Sequence, residues 1–290
     1  MNPQKRTNGN NHYYVDLDRP KPGKRNSYER IPGVTTIVKA GLPKEVFVRY
    51  AGSATAEFAV NHWEELNDLP PADRLKRISG GRYEKRDAAA TKGKIVHSAA
   101  QHLVTGAEVP IPEGLDGYVE AAVKFMDQFD VQPIQDFVEL TIFHTAHYYC
   151  GTLDLGASVL VPDMADYDWI PRDDDNRARG LFDFKTSASG IYGDIAYQLA
   201  PYRFAEFGVT PEGEVISVPE FDFGAGVHLR ADGTYSVIPV ECGPEQFEDF
   251  LTIKRMAEIV EPDNQRALVY SELVPPLGNR FQMVPVGERF

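Results

Sequence analysis

In Leu181-Phe182-Asp183-Phe184-Lys185-Thr186 an acid and a base alternate with bulky apolar side chains, and upstream Asp154 stands in the same way between Leu153 and Leu155. Apolar flanks of this kind read as short buried strands. Side chains alternate along a strand, so Asp183 and Lys185 are expected on one face, with Phe182 and Phe184 on the other. Charges on buried strands are costly unless they meet one another, a metal or a substrate. Hard divalent cations take carboxylate oxygens, and an ammonium beside them suits phosphate chemistry. The pattern implies a site for metal-dependent phosphodiester hydrolysis.

The 290 residues suffice to bury a full core, as one large domain or as a domain with a substantial elaboration. No run approaches the roughly 20 apolar residues that span a bilayer. The first residues, MNPQKRTNGNNHYY, lack the apolar core of a signal peptide, which leads to an expectation of a cytoplasmic protein with no membrane partner. Cys150 and Cys242 are the only cysteines, too few for a four-cysteine cluster, and in a reducing compartment they pack as small apolar residues. A net charge of −13 argues against a generic nucleic-acid coat but leaves local basic surfaces open. Two exist: the N-terminal arm, with Lys5, Arg6, Arg19, Lys21, Lys24, Arg25 and Arg30, and the run from Arg82 to Lys92 and Lys94. Either can track a DNA backbone or simply be solvated.

Residues 1–30 read as a flexible basic arm, with order beginning near Ile31. From about Lys44 to Phe129 the apolar spacing is helical, interrupted at Asp68-Leu69-Pro70-Pro71-Ala72, with further helices over 87–104 and 117–129. Strands follow over 138–143 and 147–161, with a bend at Gly156. Residues 162–180 are an acidic insertion or long connection without the pattern of a calcium loop. After the Asp183 strand the expected elements are a helix over 193–207, two apolar segments with a hairpin turn at Asp232-Gly233, and a last helix over 244–259. Residues 261–290 form a tail.

Gly93 lies one turn before His97 on a helix, leaving room beside the imidazole, which is equally readable as a satisfied structural histidine. Glu139, alternating with Val138 and Leu140, points away from their apolar face, either toward a metal or into water. His144, His147 and Cys150 suggest zinc by spacing, but strand geometry does not converge them. Gln198 and Tyr202 share a helix face, with Pro201 between them expected to kink or break the helix.

Taken in order, Gly93-x-x-x-His97, Glu139, Gly151-x-x-Asp154, Asp183-x-Lys185 and Gln198-x-x-x-Tyr202 resemble the RecB-like branch of the PD-(D/E)XK nuclease superfamily, which includes CRISPR-associated and phage exonucleases. The resemblance spans about residues 31–210. It implies an α/β fold with a restriction-endonuclease-like core: a central mixed β-sheet flanked by helices, after an N-terminal helical region. The nuclease domain would cover 31–260, helical over about 31–130 and catalytic over about 131–210.

By resemblance, His97, Asp154 and Asp183, with the Phe184 carbonyl, hold Mg²⁺ or Mn²⁺. Lys185 assists the attacking water or offsets developing charge, Glu139 belongs to the catalytic set, and Gln198 and Tyr202, with Lys92 and Lys94, contact DNA. No iron–sulfur cluster is expected, because the four cysteines that many relatives carry are missing. No Gly-x-x-x-x-Gly-Lys-Ser/Thr string supplies a helicase motor. The implied activity is DNA exonuclease action on single-stranded or duplex ends in phage or bacterial recombination and repair, in the host cytoplasm if phage-encoded. A structure-specific endonuclease and a non-catalytic DNA-binding partner of the same fold are the alternatives. A single-strand annealing or recombination protein is the implied partner, and the ring assemblies of related phage exonucleases allow a homo-oligomer.

Overall fold

The computed structural model describes residues 1–8, 11–23, 25–42, 45–81, 83, 93, 98–99, 102, 113–162, 167–187 and 190–262. The chain opens with β1 (Pro3–Asn8), β2 (Asn11–Pro20) and β3 (Tyr28–Arg30), an antiparallel sheet in that order. The expectation of a flexible arm over residues 1–30 is corrected here. Tyr14 anchors the sheet, its ring edge-on to Phe143 and its hydroxyl 2.9 Å from Thr141 Oγ1, while Ile31 joins Phe143 and Cys150 in a small apolar cluster. A few buried side chains on an otherwise polar hairpin suffice, because a larger sheet receives them.

Helices α1 (Val34–Gly41), α2 (Glu45–Asn61) and α3 (Trp63–Asn67) come next, and residues 71–81 are helical again. The break expected at 68–72 is present. Arg74 ties it together, donating to the carbonyl oxygens of Leu66 (2.8 Å), Asn67 (2.9 Å) and Leu69 (3.1 Å). The helix expected over 87–104 lies largely outside the described residues. Helix α4 (Asp116–Gln128) matches the third expected helix within a residue at each end.

The second sheet holds seven strands in the order β10-β9-β6-β5-β4-β7-β8: β4 (Gln132–His144), β5 (Tyr149–Leu160), β6 (Arg177–Lys185), β7 (Phe207–Val209), β8 (Val215–Ser217), β9 (Phe223–Leu229) and β10 (Tyr235–Val240). It is mixed, with β6 and β9 parallel and the other pairs antiparallel. The β9–β10 turn falls at the expected Asp232-Gly233, where Gly233 takes φ 78°. Between β6 and β7 a 3₁₀ turn (Gly193–Ile195) leads into α5 (Ala196–Arg203), shorter than the helix expected to reach Phe207. Helix α6 (Pro244–Val260) closes the described chain, starting on a proline whose missing N–H is harmless at a helix N-terminus.

Each face of this sheet buries its own core. On one, Phe125, Ala121 and Ala122 of α4 meet Phe182, Phe184, Leu155 and Val227. On the other, Val34 and Ile37 of α1, Leu199 and Tyr202 of α5 and Phe250 of α6 meet Leu140, Ile142, Leu153 and Leu181. The architecture is α/β, a central mixed sheet flanked by helices. Among the described residues no helix is long and apolar enough to cross a membrane.

Candidate active site

Three neighbouring strands carry an acid at the same level. Glu139 and Asp154 fall opposite each other between the pairs Val138↔Leu155 and Leu140↔Leu153. The β5–β6 ladder ends at Leu155↔Phe182, so Asp154 and Asp183 are the next residues of the two strands, and the neighbour of Asp183 on β9 is Gly226.

The alternation of both β4 and β5 slips at this level. Glu139 has φ 51°, a left-handed backbone that breaks a regular ladder. Val138 packs with the α4 core but Leu140 with the opposite one, and Leu155 and Leu153 divide in the same way. Residues two apart in a regular strand share a face. The sequence reading that gave Val138 and Leu140 one common face is therefore corrected. The slip leaves room for side chain to meet backbone, and Asp154 Oδ2 accepts the Phe184 N–H at 2.8 Å.

On β6 the expected alternation holds. Phe182 and Phe184 enter the α4 core, while Asp183, 3 % exposed, lies on the α5 face. There Lys185 Nζ forms an ion pair with Asp183 Oδ2 and donates to Gln198 Oε1 at 3.4 Å, and Gln198 Nε2 donates to Asp183 Oδ1 at 2.5 Å. Acid, ammonium and amide close a triangle. Burial alone would lower the Lys185 pKa, but Asp183, Asp154 and Asp194 outweigh it and hold the ammonium above the ordinary lysine value. The Lys185 side chain is still 34 % exposed, so a solute can reach it.

Helix α5 runs unbroken through Pro201, which sits in its last turn, so Gln198 and Tyr202 do share a face. Tyr202 is 2 % exposed and lies across Gly151, where a Cβ would come within 2.5 Å of its ring. This close approach explains the glycine three residues before Asp154. Burial, then the Asp183 and Asp154 carboxylates, push the Tyr202 phenol far above its ordinary value, while hydrogen bonds with Thr35 and Gln198 pull the other way. The expectation that Tyr202 contacts DNA gives way to a supporting position beneath Gln198. Gly226 has a similar use, since its missing Cβ lets Ile191 and Ile195 close on the sheet beside Asp183.

His97, Lys92 and Lys94 lie outside the described residues. Gly93, one turn ahead of His97 in sequence, comes against Thr186, next to Lys185, with 3.9 Å from its would-be Cβ to Thr186 Oγ1. Two site residues escaped the sequence reading. Asp194 precedes Gln198 by four positions, a spacing that signals a shared helix face, whereas nothing local marks Thr35.

Among the described residues no three His, Cys, Asp or Glu side chains converge on a point that could hold a metal. Asp154 and Asp183, with the Phe184 carbonyl, are hard oxygen donors of the type Mg²⁺ or Mn²⁺ prefers. His144 and Cys150 go to different places. His144 Nδ1 pairs with Glu206 at 3.0 Å, while the Cys150 thiol lies 3.7 Å from the Ile31 carbonyl oxygen. Two described acids of the 162–180 insertion serve its own turns, Asp173 Oδ1 accepting the Asp175 and Arg177 N–H groups and Asp168 pairing with Arg172. No protein-family profile and no curated protein matches this chain.

Proposed function

We propose that the chain is a metal-dependent deoxyribonuclease of the RecB-like PD-(D/E)XK type, acting at DNA ends in phage or bacterial recombination and repair. The observation that carries the reading is the cluster just past the last β5–β6 pair, where Asp154 accepts the Phe184 N–H and Lys185 and Gln198 close around Asp183.

In this reading Asp154, Asp183 and the Phe184 carbonyl hold Mg²⁺ or Mn²⁺, with His97 as a further ligand by sequence. A bound divalent ion supplies Lewis acidity, lowering the pKa of a water and offsetting charge on the scissile phosphate. Lys185, kept cationic by three carboxylates, acts as a donor that orients the water and neutralises phosphate oxygen. Gln198 fixes the distance between Lys185 and Asp183, and Tyr202, anchored over Gly151, fixes Gln198.

The test is cleavage of end-labelled linear single- and double-stranded DNA and of a closed circle, with Mg²⁺, Mn²⁺ or EDTA, beside Lys185→Ala. Metal- and Lys185-dependent loss of linear DNA alone supports an exonuclease. Cutting of the circle moves the reading to an endonuclease. DNA binding without cleavage by the wild type leaves a non-catalytic partner.

A further inference from the structure

Two described residues beyond the Lys185 strand, Ser187 and Gly190, are hydrogen-bonded in place. The Ser187 carbonyl oxygen lies 2.7 Å from His228 Nε2, and the Gly190 N–H donates back to it at 3.2 Å. Gly190, at φ 86°, turns the chain so that Ile191 lands on Gly226, the sheet neighbour of Asp183. Ile195 lands on the same glycine, and Asp194 acts on Lys185. Between these inward residues stands Tyr192, 54 % exposed, the most exposed tyrosine among the described residues. Its backbone is extended, and its carbonyl accepts the Ile195 N–H at 3.2 Å. Tyr192 thus follows directly on Ile191, which rests on Gly226 beside Asp183, the ion-pair partner of Lys185.

We propose that Tyr192 is a stacking platform for a nucleobase of an unpaired DNA strand whose phosphate lies at Lys185. The inference rests on the nuclease reading above and sets its substrate class as single-stranded ends. An aromatic ring on a pinned turn loses little freedom on binding, and every base offers a π-face, so stacking of this kind tolerates any sequence. In an intact duplex those faces are covered by neighbouring base pairs. Apart from the outer face of a terminal pair, only a frayed or single-stranded end can present one.

The experiment measures binding of a fluorescein-labelled oligothymidylate and of a blunt duplex in EDTA, by fluorescence anisotropy. Tyr192→Ala is expected to weaken single-strand binding about tenfold, the order of one base–aromatic stack. Tyr192→Phe should keep it, and blunt-duplex binding, which offers only the outer face of a terminal pair, should fall much less. Placing one abasic nucleotide along the strand should reproduce the loss in the wild type and add nothing in Tyr192→Ala. Equal single-strand affinity for Tyr192→Ala and wild type overturns the proposal. So does an equal loss on both DNAs, or no single-strand binding by the wild type. Cleavage that depends on metal and Lys185 in a Tyr192→Ala protein of normal affinity would sink the stacking role alone and leave the nuclease reading standing.

Discussion

Two acids lie beside the β4–β5 pair, Glu206 at its hairpin and Asp183 on the neighbouring β6, and they are bonded differently. At the hairpin end, Glu206 accepts the Thr145 and Ala146 N–H groups at 3.0 and 3.3 Å and the Thr145 hydroxyl, and it pairs with His144. On β6, Asp183 is held by Lys185 and Gln198, both through side chains. Backbone donors are fixed by the fold, so an acid bonded to them ties a turn together. Side-chain donors can rotate away, and an acid bonded to them can be handed to a cation or substrate. The donors separate Glu206 from Asp183 in this way, while Asp154, which accepts the Phe184 N–H, keeps one backbone bond beside them.

Removing either kind of acid tests this distinction. Asp183→Asn should lower DNA cleavage by at least about a hundredfold to a thousandfold, the scale of losing an electrostatic stabiliser, with little change in thermal unfolding. Glu206→Ala should do the reverse, lowering Tm by about 2–4 °C per kcal/mol lost while cleavage persists. Comparable activity losses in the two variants would erase the contrast.

Gly151→Ala comes next in size. Its methyl would meet the Tyr202 ring, rigid and buried, and overpacking of this kind costs about 1–3 kcal/mol. Calorimetry should show the loss, and cleavage should fall with it because Gln198 moves with Tyr202.

The pH responses are smaller and opposite in sign. Burial lowers the His144 pKa, with Glu206 only partly opposing it and His147 adding to it. A histidine depressed in the fold gives stability that is full above about pH 6.5 and is lost as pH falls toward the folded value. The raised Lys185 gives stability that is full below about pH 10.4 and lost as pH climbs through its higher folded value. Tm against pH should therefore fall less steeply below about pH 6.5 in His144→Gln and less steeply above about pH 10.4 in Lys185→Met, where the buried Tyr202 and Cys150 contribute the rest of the alkaline slope. The smallest effect is chemical. Burial pushes the Cys150 thiol up to about 12 and raises Cys242 as well, so native protein at pH 8 should resist a thiol reagent that labels both after unfolding.

Much of this arrangement is legible in the sequence where period and chemistry agree. Phe182 and Phe184 against Asp183 and Lys185 gave both the strand and its faces, and Asp232-Gly233 and Pro244 marked a turn and a helix start. Periodicity fails where the backbone leaves its regular path. A left-handed Glu139 cannot be read from alternation, and its slip moves Leu140 and Leu153 to a face that counting by two does not assign them. The N-terminal sheet was hidden because its polar composition resembles that of a free arm, while the side chains that dock it, Tyr14 and Ile31, find their partners far along the chain. Thr35 meets Tyr202 only through the fold.

The parallel pairing of β6 with β9 carries a kinetic consequence. After Lys185 the chain crosses to the far edge, where β7 and β8 extend the sheet beyond β4, before β9 returns to lie beside β6. The hairpins β4–β5 and β9–β10 close over short loops, whereas this return closes a long one, whose entropy must be lost before its contacts are gained. The acids of β5 and β6 can thus meet early in folding, while the glycine floor on which Ile191 and Ile195 rest arrives late. In refolding, recovery of cleavage should trail the appearance of sheet signal, and that delay would measure the closing of the crossover.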